Sequence, residues 1–188
     1  MQKNTIGIFI GRLNPPHIGH VKILEKSLKE NSKTILFLGS SNIIDENNPF
    51  SFEERKNFLY LILKKEVDEN KLIITNIDDV PDDKIWVENI GKKIFEVVGN
   101  TENKLNFYFG DFENDYAYKA IKEFEKYLGF RDIYYNLLSR ENSQIEGVPI
   151  SSTNIRKMLK NGQYELVKKF IDEKIFEKII EKFDKKHK

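Results

Sequence analysis

Apolar residues along this chain fall into two alternating patterns. Five short runs are apolar almost without interruption: Thr5 to Ile10, Thr34 to Leu38, Leu72 to Thr75, Leu105 to Phe109 and Ile133 to Leu137. Their length and their β-branched and aromatic content predict strands covered on both faces, as in a parallel sheet. Between them the apolar residues recur every three or four positions, the period of a helix with one buried face. Ile18, Val21, Leu24 and Leu28 mark the first such helix, beginning near His17 or Ile18. Ser51 followed by Glu54 is a capping-box pair, which opens a helix over Phe52 to Glu66. Further helices are expected from about Lys84 to Val98, from about Asn114 to Tyr127, and from the segment Ile150 to Arg156 onward. One or two amphipathic helices close the chain between Leu166 and Phe183, and Ser139 to Pro149 reads as a long loop. Five strand–helix alternations predict an α/β fold: a Rossmann-like, doubly wound, five-stranded parallel sheet with right-handed crossovers and C-terminal helices. No repeat, linker or composition break divides it, so residues 1–188 are expected to form one domain, with 150–188 as its C-terminal helical part.

In such a sheet, ligands bind beyond the carboxyl ends of the strands. The glycine- and proline-bearing segments of this chain all fall at those ends: Gly11 to His20, Gly39 to Ser41, Pro81 to Asp83, Gly110 with Asp111, and Ile150 to Arg156. The first concentrates the rarest residues. Of three histidines and five prolines, the turn Gly11-Arg12-Leu13-Asn14-Pro15-Pro16-His17-Ile18-Gly19-His20 holds two of each. Gly11 permits close backbone approach to a ligand, and the paired prolines stiffen the turn. The helix start that follows offers N–H groups and a positive dipole end to an anion. His17 and His20, three residues apart, share one side of its first turn and can donate to phosphate oxygens. Two other readings stay open from the local pattern alone. The histidines could be metal ligands, although no third ligand completes a set, or a capping pair without chemistry.

Charge narrows the partners. Thirty-one Lys plus Arg balance 30 Asp plus Glu, for a formal net charge of +1, so long nucleic acid is not an expected partner. Without cysteine there is no disulfide, thiolate nucleophile or cysteine-bound metal. The N-terminal apolar run is too short for a signal peptide and no apolar segment is long enough to cross a bilayer, so a cytoplasmic protein with no membrane partner is expected. Only five of the basic residues are arginine, namely Arg12, Arg55, Arg131, Arg140 and Arg156. Where lysine is the default cation, arginine marks places that need a planar, forked donor.

Two motifs together carry a family resemblance. The Gly11 to His20 turn resembles the HxGH signature of the nucleotidylyltransferase superfamily, and Ile150-Ser151-Ser152-Thr153-Asn154-Ile155-Arg156 resembles its partner motif, ISxTxIR. Within the superfamily the chain is most similar to nicotinamide mononucleotide adenylyltransferases of archaeal type. The features in common are Gly11-Arg12, then Asn48-Pro49-Phe50 with Glu54-Arg55, and Trp86-Val87 soon after the third strand. The resemblance implies transfer of the adenylyl group of ATP to nicotinamide mononucleotide, giving NAD and pyrophosphate. It implies that His17, His20 and Arg156 are the catalytic groups on the ATP phosphates, with Gly11, Arg12, Ser152 and Thr153 beside them and Gly110 and Asp111 on the adenosine side. It places Ser40, Arg55, Asp83 and Trp86 around the acceptor, Arg55 on the mononucleotide phosphate and Trp86 stacked on the nicotinamide ring. Mg²⁺ is expected to arrive with ATP, with no dedicated metal-binding residues, and a homo-oligomer is expected.

The match is incomplete at one position. The family usually has Asn three residues before the tryptophan, and this chain has Asp83. An ionised carboxylate only accepts hydrogen bonds, so it suits a carboxamide N–H and disfavours the carboxylate of nicotinic acid mononucleotide. The exact acceptor nonetheless stays open among nicotinamide mononucleotide, nicotinic acid mononucleotide and another phosphorylated acceptor. Pantetheine-phosphate adenylyltransferases, FMN adenylyltransferases and cytidylyltransferases would share the phosphate machinery and differ in this pocket. A nucleotide sensor without activity is the reading outside the enzymes.

Overall fold

A computed structural model describes residues 4–110, 115–138 and 144–186. All five predicted strands are present: β1 (Thr5–Gly11), β2 (Lys33–Leu38), β3 (Leu72–Asn76), β4 (Lys104–Phe109) and β5 (Ile133–Leu137). They form one sheet in the order β3-β2-β1-β4-β5, and every neighbouring pair is parallel. The order in which strands are added reverses between β1 and β4, the switch point at which an open α/β sheet leaves a crevice.

The continuous apolar runs are explained by cover on both faces. On one face lie Ile6, Ile8, Ile10, Ile35 and Phe37, packed against Val87, Ile90 and Ile94 of α4 (Asp83–Val98) and Ile121 of α5 (Tyr116–Phe124). On the other lie Phe9, Leu36 and Leu38, packed against Ile23 and Leu24 of α1 (Ile18–Glu30) and Leu59 of α2 (Phe52–Ile62). Successive strand residues point to opposite faces, so one run of six supplies both layers.

A third apolar cluster lies off the sheet. It joins Phe50 and Phe58 to Ile155 and Leu159 of α6 (Ser152–Lys160), Val167 of α7 (Tyr164–Val167) and Ile175, Ile179 and Phe183 of α8 (Glu173–Lys186). This cluster holds the second motif beside the first.

Several boundaries differ from those predicted. The helix expected over Phe52 to Glu66 is interrupted at Leu63, and α3 (Lys64–Asp68) follows as a separate turn. The helix expected to run to Tyr127 becomes a 3₁₀ turn over Glu125–Leu128, closed by Gly129 in the left-handed region. The segment Ser139 to Pro149, predicted as loop, contains a short antiparallel hairpin, β6 (Gln144–Ile145) with β7 (Val148–Pro149). Gly147 and Glu146, both at positive φ, make its two-residue turn, a local preference that the apolar periodicity does not register.

Candidate functional site

The β1–α1 turn is built by buried polar contacts. Asn14, 1% exposed, clamps the Phe50 backbone: its side-chain amide donates to the Phe50 carbonyl (2.9 Å) and its oxygen accepts from the Phe50 N–H (3.0 Å). Each such bond contributes about 1 kcal/mol net. The Asn14–Pro15 peptide is cis. Leu13 sits at φ 47 with its side chain fully packed, and a Cβ at Gly11 would come within 2.7 Å of Leu13 Cδ1. Glycine at 11 therefore leaves the space that the Leu13 side chain fills.

His17 is the N-cap of α1 and His20 its third residue, both buried. Their rings stack with centroids 3.5 Å apart. His20 Nδ1 accepts the backbone N–H of His17 at 3.2 Å. In a neutral imidazole this leaves the proton on Nε2, so the ring caps the helix with one nitrogen and donates with the other. Capping and phosphate contact are therefore compatible functions of one side chain. The first helical N–H, that of Ile18, is bonded to the Phe170 carbonyl (3.0 Å), so it is a tie to the C-terminal helices.

The second motif meets this turn directly. Ser151 caps α6, accepting from the Asn154 N–H (3.1 Å), and the Ser152 hydroxyl donates to the Pro15 carbonyl (2.9 Å). Arg156 donates from Nη1 to the Asn14 carbonyl (2.8 Å) and from Nη2 to the Thr153 hydroxyl (3.2 Å). Burial and the neighbouring Arg12 both lower the pKa of Arg156, with Asp45 opposing them. A cation that is partly desolvated and faces a second cation is a site that an anion relieves.

These elements line a cavity of about 630 Å³ at the carboxyl ends of β1 and β2. From the first turn and α6 it takes Gly11, Arg12, His17, His20, Ser152, Thr153 and Arg156; from the β2 end, Ser40; from the other side of the sheet, Trp86. Nine of the thirteen residues singled out by sequence thus share one cavity. Trp86 is 6% exposed and packs in the α4 core cluster, so it is core and cavity wall together.

The remaining four lie elsewhere. Arg55 is fully buried and outside the cavity lining. Its guanidinium donates to the carbonyls of Arg12, Gly39 (2.8 Å), Ser40 (3.5 Å) and Ser51 (3.3 Å). Burial, with Arg12 nearby, brings its pKa down to about 10 against the pull of Asp79, so it stays a cation at neutral pH. Gly110 is buried at the end of β4 and does not line the cavity. Asp83 does not line it either; its carboxylate accepts the hydroxyl proton of Tyr116. Asp111 lies outside the described residues.

Sequence reasoning missed Asp79, Asp115 and Tyr116, which line the far wall beside Trp86. Asp79 accepts from the Ser40 hydroxyl (2.8 Å), and Ser40 itself stands at φ 48. Asp115 caps α5, accepting from the Tyr118 N–H (3.1 Å). The Tyr116 and Trp86 rings lie 6.1 Å apart at 57°. The bond to Asp83, then burial, pushes the Tyr116 hydroxyl up to about 12, so it holds its proton at neutral pH. Among the described residues no group of three His, Cys, Asp or Glu could hold a metal ion, and no helix is long and apolar enough to cross a membrane.

A switch-point cavity with histidine and arginine donors on one wall and aromatic rings on the other has the chemistry to take a nucleotide, with cations for its phosphates and flat surfaces for its rings. The chain belongs to the cytidylyltransferase-like family, whose family model matches residues 8–158. Over 200 residues it is 26% identical to the nicotinamide/nicotinic acid mononucleotide adenylyltransferase of Acinetobacter baylyi, covering 97% of this chain and 95% of that one. It is 27% identical over 187 residues to the nicotinamide-nucleotide adenylyltransferase of Archaeoglobus fulgidus, covering 94% and 90%. Its fold is similar, at TM-score 0.72 and 22% identity, to a bifunctional NMN adenylyltransferase/ADP ribose pyrophosphatase from Francisella tularensis solved with AMP and a manganese ion. That match covers 97% of this chain and 51% of the other, so this chain spans about half of that longer protein.

Proposed function

We propose that the protein joins ATP and nicotinamide mononucleotide to form NAD and pyrophosphate. The observation that carries the reading is the two-sided cavity, with His17, His20, Arg12 and Arg156 on one wall and Trp86 and Tyr116 on the other. An oxygen of the mononucleotide 5′-phosphate attacks the α-phosphorus of ATP. The bond from that phosphorus to the bridging oxygen breaks, and the electron pair leaves with pyrophosphate. The nucleophile is already ionised at neutral pH, so no general base is needed, and catalysis is positioning plus neutralisation of charge. His20 donates from Nε2 to the oxygens that gain charge in the transition state, with His17 stacked against it. Arg156 and Arg12 hold the β- and γ-phosphates beside the Ser152 and Thr153 hydroxyls. Trp86 gives a flat surface to the acceptor ring. Mg²⁺ arriving with ATP would add charge neutralisation at the phosphates and would need no carboxylate cage from this chain.

The test is pyrophosphate release from ATP and Mg²⁺ with a panel of acceptors: nicotinamide mononucleotide, nicotinic acid mononucleotide, FMN and phosphopantetheine, with CTP as the alternative donor. NAD and pyrophosphate from ATP and nicotinamide mononucleotide are expected. Turnover with another acceptor or donor, and none with this pair, would reject the assignment. In the same assay His20→Ala should lower kcat on the order of 10²–10³-fold, the usual cost of losing one transition-state donor. ATP affinity should move far less; equal losses in both would make His20 a binding group only.

A further inference from the structure

The wall around Trp86 contains a side chain whose hydrogen-bonding options are fixed by its neighbour. Tyr116 lines the cavity, its ring lies beside Trp86, and its hydroxyl donates to the Asp83 carboxylate. A phenol hydroxyl has one proton and two lone pairs. With the proton committed to a group that can only accept, the oxygen offers a ligand nothing but lone pairs. Asp83 does not line the cavity and Tyr116 does, so the tyrosine is the member of the pair that an acceptor ring can reach.

Resting on the function proposed above, we infer that Tyr116, polarised by Asp83, is a specificity-determining residue that selects nicotinamide mononucleotide over nicotinic acid mononucleotide. A carboxamide N–H₂ can donate to the Tyr116 oxygen. A ring carboxylate has no proton to donate, and the Tyr116 proton is not available to it. Charge acts in the same direction. Asp79 and Asp115 line this wall and Asp83 stands at its edge. An N-ribosylated pyridinium is cationic and suits that field, whereas a carboxylate on the same ring meets like charge. Asp83 enters the choice through Tyr116 and is a positioning residue; the direct contact belongs to the tyrosine.

Two substitutions separate the parts. Asp83→Asn supplies an amide that can donate to the tyrosine oxygen, which releases the hydroxyl proton toward the ligand. Tyr116→Phe keeps the ring beside Trp86 and removes the oxygen. Tyr116 is 60% exposed, so its loss leaves the core intact. The experiment measures kcat/KM for both mononucleotides at saturating ATP and Mg²⁺, with KM for ATP as the control on the rest of the site. The wild-type protein should prefer nicotinamide mononucleotide by at least about tenfold, roughly the effect of one differential hydrogen bond. Asp83→Asn should shrink that ratio about tenfold, mainly by improving use of nicotinic acid mononucleotide. Tyr116→Phe should shrink it mainly by weakening use of nicotinamide mononucleotide. In both, KM for ATP should shift less than about twofold, since the phosphate-binding residues lie on the opposite wall. Comparable use of both substrates by the wild type, or an unchanged ratio in both variants, overturns the inference and leaves the adenylyltransferase reading standing. Failure of both mononucleotides, with turnover of another acceptor, overturns the two together.

Discussion

At the scale of single residues, Arg55 shows how much a buried guanidinium can hold. It has no exposed surface, yet it ties the carbonyls of Arg12, Gly39, Ser40 and Ser51 into one cluster below the cavity. Four carbonyls suit a planar fork with five N–H donors, and a lysine ammonium cannot span them. Arg55→Lys should therefore cost about 1–3 kcal/mol, near the penalty for unpaired buried acceptors, which is roughly 2–12 °C in Tm for a chain of this size. KM should rise for both substrates, because Arg12 and Ser40 stand on the loosened carbonyls. If Tm holds and only the mononucleotide KM rises, the side chain contacts the acceptor phosphate, as the family resemblance implies. Thermal melts and steady-state kinetics on the one variant separate the two roles.

At the scale of elements, the site depends on close approach between α4 and the 3₁₀ turn that follows α5. Gly91 faces the backbone of that turn, and a Cβ there would lie 2.3 Å from the Leu128 carbonyl oxygen. The obstacle is backbone, which cannot rotate away as a side-chain tip can. Gly91→Ala should cost about 2 kcal/mol by overpacking, lowering Tm by roughly 4–8 °C. Because α4 also carries Trp86 into the cavity wall, the same shift should raise the acceptor KM more than the ATP KM. Calorimetry and kinetics on this variant check both halves; unchanged Tm would mean that the turn yields without strain.

At the scale of the whole molecule, the two motifs are held together by the third apolar cluster and a few polar ties. Asn14 grips Phe50, Phe50 packs among α6, α7 and α8, and α8 returns to the start of α2 through Lys182 and Glu54 at 2.5 Å. Burial alone would raise the pKa of Glu54. Hydrogen bonds from Lys182 and from Ser51 outweigh it, so the carboxyl is held below its ordinary value. A carboxyl lowered in the folded state adds stability above its unfolded pKa and loses that contribution as pH falls through the folded value. The pair is about a third exposed, so screening keeps its worth near 1 kcal/mol or less. Glu54→Gln should therefore lower Tm at pH 7 by at most roughly 2–4 °C, a gap that closes as pH drops through and below the ordinary carboxylate range. Melting curves for both proteins across pH 3 to 7 make the comparison; a gap independent of pH would assign the loss to the capping box alone.

What could be read from the chain follows the range of each interaction. The strands, the α1 start at His17 and the Ser51–Glu54 cap depend on neighbours a few residues apart, and apolar periodicity or cap chemistry records them directly. The wall formed by His17, His20, Ser152, Thr153 and Arg156 was legible because two recognisable motifs each end on the same rim of a parallel sheet. The hairpin at Gln144 to Pro149 and the break at Leu63 were not, since their turn chemistry is local while the apolar pattern runs through or past them. Tyr116 and Asp79 carry no motif; each becomes part of the cavity only because β3 and β4 deliver α4 and α5 to the face opposite α1. The same holds for Arg55, whose one-dimensional context is an arginine after a glutamate on a helix. Its burial under Arg12, Gly39 and Ser40 exists only once β1, β2 and α2 are packed together. The sheet and the wall of His17, His20, Ser152, Thr153 and Arg156 could be read from the chain alone, because their causes are short in range or carried by motif. Which residues complete the far wall, and that Arg55 holds the Arg12, Gly39 and Ser40 backbone, follow from packing alone, because those contacts join segments distant along the chain.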